Sequence, residues 1–235
     1  MAEIPTRDRL IVALDLPTGT QALELADRIE GHVNFFKVGL ELFSSGTGVD
    51  LIESLIGRGH KVFADFKLFD VPATVFRAVR NLNGLGITFV TVHGDEQIME
   101  AAVEASDGIS ILAVTVLTSM DQDSLAGMGV SMSLEDLVRT RAKNAERLGC
   151  GGVVASPREA AVIRQQADAR LRIVTPGIRR EGGSFNDQKR VMTVKGALDA
   201  GADYVVVGRP IRDASDPARA AAQFQNEIAD ALAES

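Results

Sequence analysis

Eight short, β-branched apolar runs alternate with longer amphipathic segments along the whole chain, and no other feature narrows the choice of fold so far. The runs are Leu10–Leu14, Phe35–Val38, Lys61–Asp65, Ile87–Val92, Ser110–Val116, Gly152–Ala155, Arg172–Thr175 and Tyr204–Val207. Each has the length and composition of a strand buried on both faces, as in a parallel sheet. Strand–helix units repeated eight times with no linker predict one α/β domain over residues 1–235, a (β/α)8 barrel (TIM barrel). A doubly wound open sheet is the alternative. It would want a glycine-rich loop after the first strand, where this chain has Asp15-Leu-Pro-Thr-Gly19 and no G-x-G-x-x-G spacing.

The helical segments carry apolar stripes. Ala22, Leu23, Leu25, Ala26 and Ile29 form one within Thr20–Ile29; Leu51, Ile52, Leu55 and Ile56 form a second, and Val75, Val79 and Leu82 a third. Further helices are predicted over Leu134–Leu148, Pro157–Ala167, Val191–Ala200 and Ala218–Leu232. Gly31, Gly59, Gly86, Gly108, Gly149 and Gly201 stand where helices should stop, and Ser133 with Asp136 has the spacing of a helix N-cap.

At 235 residues with 46% apolar content the chain can bury a continuous core. The net charge of −7, without a run of like charge, argues against nucleic acid as a partner. Cys150 is the single cysteine, so no intrachain disulfide is expected. Met1–Arg9 lacks an apolar core for a signal peptide, and no apolar stretch approaches the ~18 residues of a membrane span. A cytoplasmic protein is expected, with no membrane partner.

In barrels the strand C-termini carry the chemistry and the opposite rim is structural. That rule sends His32, His60 and Cys150, which all precede strands, to the structural end. It leaves Asp15, Lys37, Asp65, Lys67, Asp70, His93, Thr118, Ser156, Arg179, Gly208 and Arg209 at the mouth. With His93 the only histidine there, a histidine-based metal cluster is not expected. Asp65 and Lys67 share a side if the third strand runs that far, and Lys37 is on the neighbouring strand. A Lys–Asp–Lys–Asp array follows, and charge grouped in this way is costly unless used. Lysines flanked by carboxylates stay protonated, which makes Lys67 a plausible proton donor.

Thr175-Pro-Gly-Ile-Arg179 and Val207-Gly-Arg-Pro-Ile211 follow strands seven and eight, where barrels frequently bind phosphate. Glycine admits backbone N–H groups and arginine offers a bidentate fork. Two segments exceed connector length, near 119–132 and 178–189, and lid-like loops are expected there.

Asp65-Phe-Lys-Leu-Phe-Asp-Val-Pro-Ala-Thr74 resembles the signature of the orotidine 5′-monophosphate decarboxylases, enzymes of UMP synthesis. The likeness extends through Ala13-Leu-Asp15, Phe36-Lys-Val-Gly39, Val92-His-Gly94, Val116-Leu-Thr-Ser119, Ala155-Ser-Pro157, Thr175-Pro-Gly-Ile-Arg179 and Val207-Gly-Arg-Pro210, in order. The resemblance implies that Lys67 protonates C6 of the pyrimidine as carbon dioxide leaves, with Asp65 against the departing carboxylate. It implies that Lys37 and Asp70 complete the array, Asp70 and Thr74 reaching into the neighbouring subunit of a homodimer. Asp15 and Lys37 would hold ribose hydroxyls, Thr118 the pyrimidine, and Gln188, Gly208, Arg209 and Arg179 the phosphate. The family uses no metal and no organic cofactor. Its motif commonly has histidine before the second aspartate, where this chain has Phe69; His93 matches the family's strand-four histidine, with no chemical step assigned.

Two rival readings remain. Sugar-phosphate lyases such as keto-gulonate-phosphate decarboxylase and hexulose-phosphate synthase share the D-x-K-x-x-D spacing. They resemble metal-dependent enzymes with a carboxylate on strand two, where Lys37 would repel Mg²⁺. A catalytically silent phosphate-binding barrel is the other, against which Lys67 and Asp65 argue.

Overall fold

The computed structural model describes residues 4–179 and 192–234. Its strands are β1 Leu10–Ala13, β2 Phe35–Gly39, β3 Lys61–Leu68, β4 Phe89–His93, β5 Ser110–Val114, β6 Gly152–Val154, β7 Arg172–Pro176 and β8 Tyr204–Val207. All pair in parallel in sequence order, and β8 returns to β1 through Leu10↔Val205 and Val12↔Val207, which closes the barrel. The helices are α1 Gly19–Arg28, α2 Leu40–Leu42, α3 Gly48–Gly57, α4 Pro72–Leu82, α5 Glu96–Ala105, α6 Gln122–Gly127, α7 Leu134–Arg147, α8 Pro157–Arg164, α9 Val194–Asp199, α10 Arg209–Arg212 and α11 Pro217–Ala233. The expected eight-unit rhythm is the architecture, with strand ends shifted by at most three residues. Val191, the expected start of one helix, lies outside the described residues.

Two cores follow from the period of two along each strand. Leu10, Val12, Phe36, Val38, Val62, Ala64, Val90 and Val92 point outward and pack under the helices. Ile11, Ala13, Phe35, Phe63, Phe89, Leu112, Val114, Val174, Tyr204 and Val206 point inward and fill the barrel. The rings of Phe35, Phe63, Phe89 and Tyr204 interlock there: Phe35 and Phe89 centroids lie 5.2 Å apart, and Phe89 meets Tyr204 edge-on at 5.3 Å. This aromatic layer sits low in the barrel, so the next inward positions up the strands, Asp15, Lys37, Asp65 and Thr91, stand directly above it.

The helix stops fall where expected. Gly59 and Gly201 adopt φ of 85° and 96°, a left-handed turn that a side chain would strain. Ser133 caps α7, its Oγ accepting from Asp136 N at 3.0 Å. Two capping boxes were not anticipated. Asp121 opens α6 in a reciprocal box with Ser124, and Ser156 opens α8 with Glu159, whose Oε2 accepts from Ser156 N at 2.9 Å. Ser156 does not line the cavity at the mouth, and its buried Oγ makes no hydrogen bond among the described residues.

The segment expected as a lid near 119–132 is partly built. It contains α6, whose Leu125 is buried, and Gln122 Oε1 accepts from Leu134 N at 2.8 Å to tie it to α7. Of the second segment, only Ile178 and Arg179 fall among the described residues. At the structural rim Cys150 is buried, which pushes its thiol up to about 12, and His60 meets Phe36 edge-on at 4.9 Å. Among the described residues no helix is long and apolar enough to cross a membrane.

Candidate active site

At the C-terminal mouth the inward positions turn from apolar to charged within one step. Lys37 follows Phe35 and Asp65 follows Phe63, each two residues further along its strand, and Asp15 stands two residues after Ala13, just past the end of β1. Lys37 Nζ donates to Asp15 Oδ1 at 2.8 Å and lies 3.5 Å from Asp65 Oδ2. Lys67 Nζ donates to Asp65 Oδ1 at 2.9 Å. One chain therefore carries the alternating series Asp15–Lys37–Asp65–Lys67. Asp70, expected to complete the array by reaching into the neighbouring subunit, does not join it within one chain. Asp70 is exposed, its Oδ1 accepting from the following backbone N–H of Val71 at 2.6 Å. Because α4 starts at Pro72, the chain has already turned out of the barrel at Asp70. Asp70 and Thr74 line a separate outer depression with Lys67, which stands between it and the mouth.

Lys37 and Asp65 are almost wholly buried, and their charges depend on one another. Burial alone would push the Lys37 amine down, but Asp65 and Asp15 raise its pKa on balance. Burial would likewise push Asp65 up; Lys37, Lys67 and the Thr91 hydroxyl hold it below the ordinary carboxylate value.

The third strand reaches this arrangement through an irregularity. Its register with β4 shifts between Ala64↔Val90 and Leu68↔Val92, so Asp65, Phe66 and Lys67 oppose Thr91 alone. Lys67 has φ of 49°, the one non-glycine residue in left-handed backbone among those described. Such a conformation costs on the order of 1 kcal/mol, and strain of this kind concentrates at functional positions. Period two predicted Asp65 and Lys67 on one side; the bulge brings them together by a different route.

Above the array lies a cavity of about 410 Å³. Asp15, Lys37, Asp65 and Lys67 form its floor and one wall, with Phe63, Val114 and Val154 as the apolar lining below. Thr118, Gly177, Arg179, Gly208 and Arg209 complete it. Gly177 has φ of 84°, which lets the turn after β7 bring its backbone to the cavity. Arg209 starts α10, and Arg179 Nη1 donates to Ile178 O at 2.8 Å. Gln188 lies outside the described residues. Sequence reasoning missed Arg212, which lines the cavity and donates to the backbone oxygen of Asp15. That contact joins residues 197 positions apart, and only the closed barrel brings them together. It also missed Thr91, although the inward period above Phe89 points to it.

Phe69 is 68% exposed, and its ring lies over His93 with centroids 4.4 Å apart. Burial and then Arg141 lower the His93 pKa, which disfavours the charged imidazolium. Among the described residues no group of three His, Cys, Asp or Glu is placed to hold a metal ion.

A closed parallel barrel with paired ammonium and carboxylate groups over an aromatic plug, and arginines on its last two loops, defines a barrel enzyme of small-molecule chemistry. Residues 8–224 match the model of the orotidine 5′-phosphate decarboxylase / HUMPS family. A curated relative from Methylococcus capsulatus named orotidine 5′-phosphate decarboxylase is 50% identical over 231 residues, covering 98% of this chain and 96% of the relative. One of the same name from Rhodopseudomonas palustris is 49% identical over 229 residues, 97% of this chain and 96% of the relative. The crystal structure of orotidine 5′-phosphate decarboxylase from Lactobacillus acidophilus superposes with a TM-score of 0.83 at 34% identity, covering 94% of this chain and 99% of that one. The chain belongs to the orotidine 5′-phosphate decarboxylase / HUMPS family.

Proposed function

We propose that this chain decarboxylates orotidine 5′-monophosphate to UMP in de novo pyrimidine biosynthesis, by a metal-free route through a C6 carbanion. The observation that carries the reading is the position of Lys67 Nζ, 2.9 Å from Asp65 and facing the cavity that the two arginine loops overhang. The bond between C6 and the carboxylate breaks, carbon dioxide leaves, and the electron pair stays on C6. The ring delocalises that pair poorly. Fixed ammonium charge beside C6 stabilises it more than the ground state, and Lys67 then delivers its proton to C6. Asp65 lies against the departing carboxylate. Asp15 and Lys37 take the ribose hydroxyls, Thr118 the pyrimidine, and Arg179, Gln188, Gly208 and Arg209 the phosphate. The segments near 119–132 and 178–189 act as lids, so that grip on the phosphate favours the closed site.

The assembly in this reading is a homodimer in which Asp70 and Thr74 complete the partner's array. Support comes from their place outside their own mouth, and from Leu40, Phe43, Phe69 and Val71, exposed apolar side chains on the segments leaving β2 and β3. The cytoplasm is the compartment that a substrate of nucleotide synthesis suggests. Against the metal-dependent sugar-phosphate lyases stands Lys37, a cation at the strand-two position where those enzymes resemble carboxylate ligand sets. An absorbance assay with orotidine 5′-monophosphate in the presence of chelator tests the proposal. Turnover to UMP is expected. Activity abolished by EDTA and restored by Mg²⁺ would favour the lyase reading, and tight UMP binding without turnover a silent barrel.

A further inference from the structure

Thr91 has no part in the roles assigned above, yet it is the fully buried polar side chain under the charged series. It is the single β4 residue facing the three-residue excursion Asp65–Phe66–Lys67, at the inward position above Phe89. A hydroxyl has one proton to give and lone pairs to receive, and Thr91 uses both kinds. Oγ1 accepts from Lys67 N at 2.9 Å and donates to Asp65 Oδ1 at 2.9 Å. Asp65 Oδ1 in turn accepts from Lys67 Nζ at 2.9 Å. The result is a closed circuit: Lys67 backbone, Thr91 hydroxyl, Asp65 carboxylate, Lys67 ammonium.

We propose that Thr91 is a positioning residue for decarboxylation, its hydroxyl fixing the left-handed backbone of Lys67 and the rotamer of Asp65 in one stroke. The inference rests on the reading that Lys67 and Asp65 perform the chemistry. The register shift leaves the Lys67 N–H without a ladder carbonyl, and a buried unpaired donor is unstable there. A freely turning Asp65 carboxylate could serve Lys37 or Lys67, but not hold both at their present angles. The β-branched side chain of Thr91 is stiff about χ1, which makes its hydroxyl a fixed reference point.

The test compares Thr91→Val, which keeps the shape and removes the hydroxyl, with Thr91→Ser, which keeps the hydroxyl. Loss of hydrogen bonds to a charged group predicts that T91V lowers kcat by about ten- to hundredfold while KM for the nucleotide changes little. T91S should stay within about threefold of the parent, a spread no larger than ordinary contact adjustments produce. The acid limb of the kcat profile should move to higher pH in T91V, because Asp65 loses a donor that favours its ionised form. Crystals of T91V should show residue 67 out of the left-handed region, or its Nζ beyond hydrogen-bond reach of Asp65. Should T91V not fold, T91C, with a weak donor and weak acceptor in the same place, must fall between T91S and complete loss. A T91V enzyme with unchanged kcat, unchanged pH profile and residue 67 still near φ of 49° overturns the proposal. So does T91S impaired as deeply as T91V. A parent enzyme inert towards orotidine 5′-monophosphate would sink the functional reading and with it the role in decarboxylation, while the crystallographic arm would still decide whether Thr91 positions Lys67 and Asp65.

Discussion

A Cβ atom placed on Gly39 would stand 3.0 Å from Asp15 Oδ1 and 3.1 Å from Lys37 Nζ. Gly39 ends β2 with φ of −92°, a conformation open to any residue, so its smallness serves the ion pair and not the backbone. Gly39→Ala should therefore leave thermal stability near that of the parent while pushing the Asp15–Lys37 pair off its geometry. Displacement of positioning groups by an ångström costs up to about a hundredfold in rate, and a loss of at least about tenfold in kcat/KM is expected. Scanning calorimetry and steady-state kinetics on the same preparation separate the two effects.

Lys67→Ala removes the proposed proton donor and leaves a Cβ on the left-handed backbone, so the local strain is unchanged. Decarboxylation should fall by about 10²- to 10⁴-fold, the range for a positioned general acid, with the fold retained by circular dichroism. Near-parental activity would rule out Lys67 as donor. Mixed with Asp70→Asn, which should itself be weakly active, Lys67→Ala should regain activity through heterodimers that assemble one intact site. Absence of recovery after subunit exchange would contradict a shared site.

Arg209→Ala should act on binding. The loss of a charged hydrogen bond to phosphate predicts a rise in KM for the nucleotide of about ten- to hundredfold. Orotidine lacking phosphate should show no comparable loss, and equal effects on both substrates would place Arg209 elsewhere.

The buried pair sets a pH window for stability. Asp65 is held below its ordinary value, so its contribution is present above the unfolded carboxylate pKa near 3.8 and is lost as pH falls through the folded one. Lys37 is held above 10.5, so its contribution is present below that value and is lost as pH rises through the folded pKa. Between these limits the pair contributes evenly. Urea unfolding across pH should show the parent losing stability on acidification below about pH 4 more steeply than Asp65→Asn, which has no proton to take up there. Parallel curves would mean that Asp65 does not titrate with folding.

The barrel and much of the mouth were legible because both depend on a period of two. Inward Phe35, Phe63 and Phe89 point to Lys37, Asp65 and Thr91 one step higher; the first two were read from their places at strand C-termini, and Thr91 was not read. Asp70 was harder: spacing in sequence groups it with Lys67, but the start of α4 carries it outward, and a single chain contains no signal for what it meets there. Arg212 was illegible for a different reason, since its partner is the backbone of Asp15 at the far end of the chain. The register shift that gives Lys67 its backbone angle leaves no mark in composition, because the run Phe63–Leu68 reads as ordinary strand.

The interlocked rings of Phe35, Phe63, Phe89 and Tyr204 stop the barrel axis beneath the charged residues. Among the described residues, whatever is admitted from above meets packed rings in place of a rear exit. A gaseous product and a bulky nucleotide would have to share one doorway, so the smaller escapes past the larger or waits for it to depart, and the traffic at that opening belongs to the cycle as much as the bond that breaks.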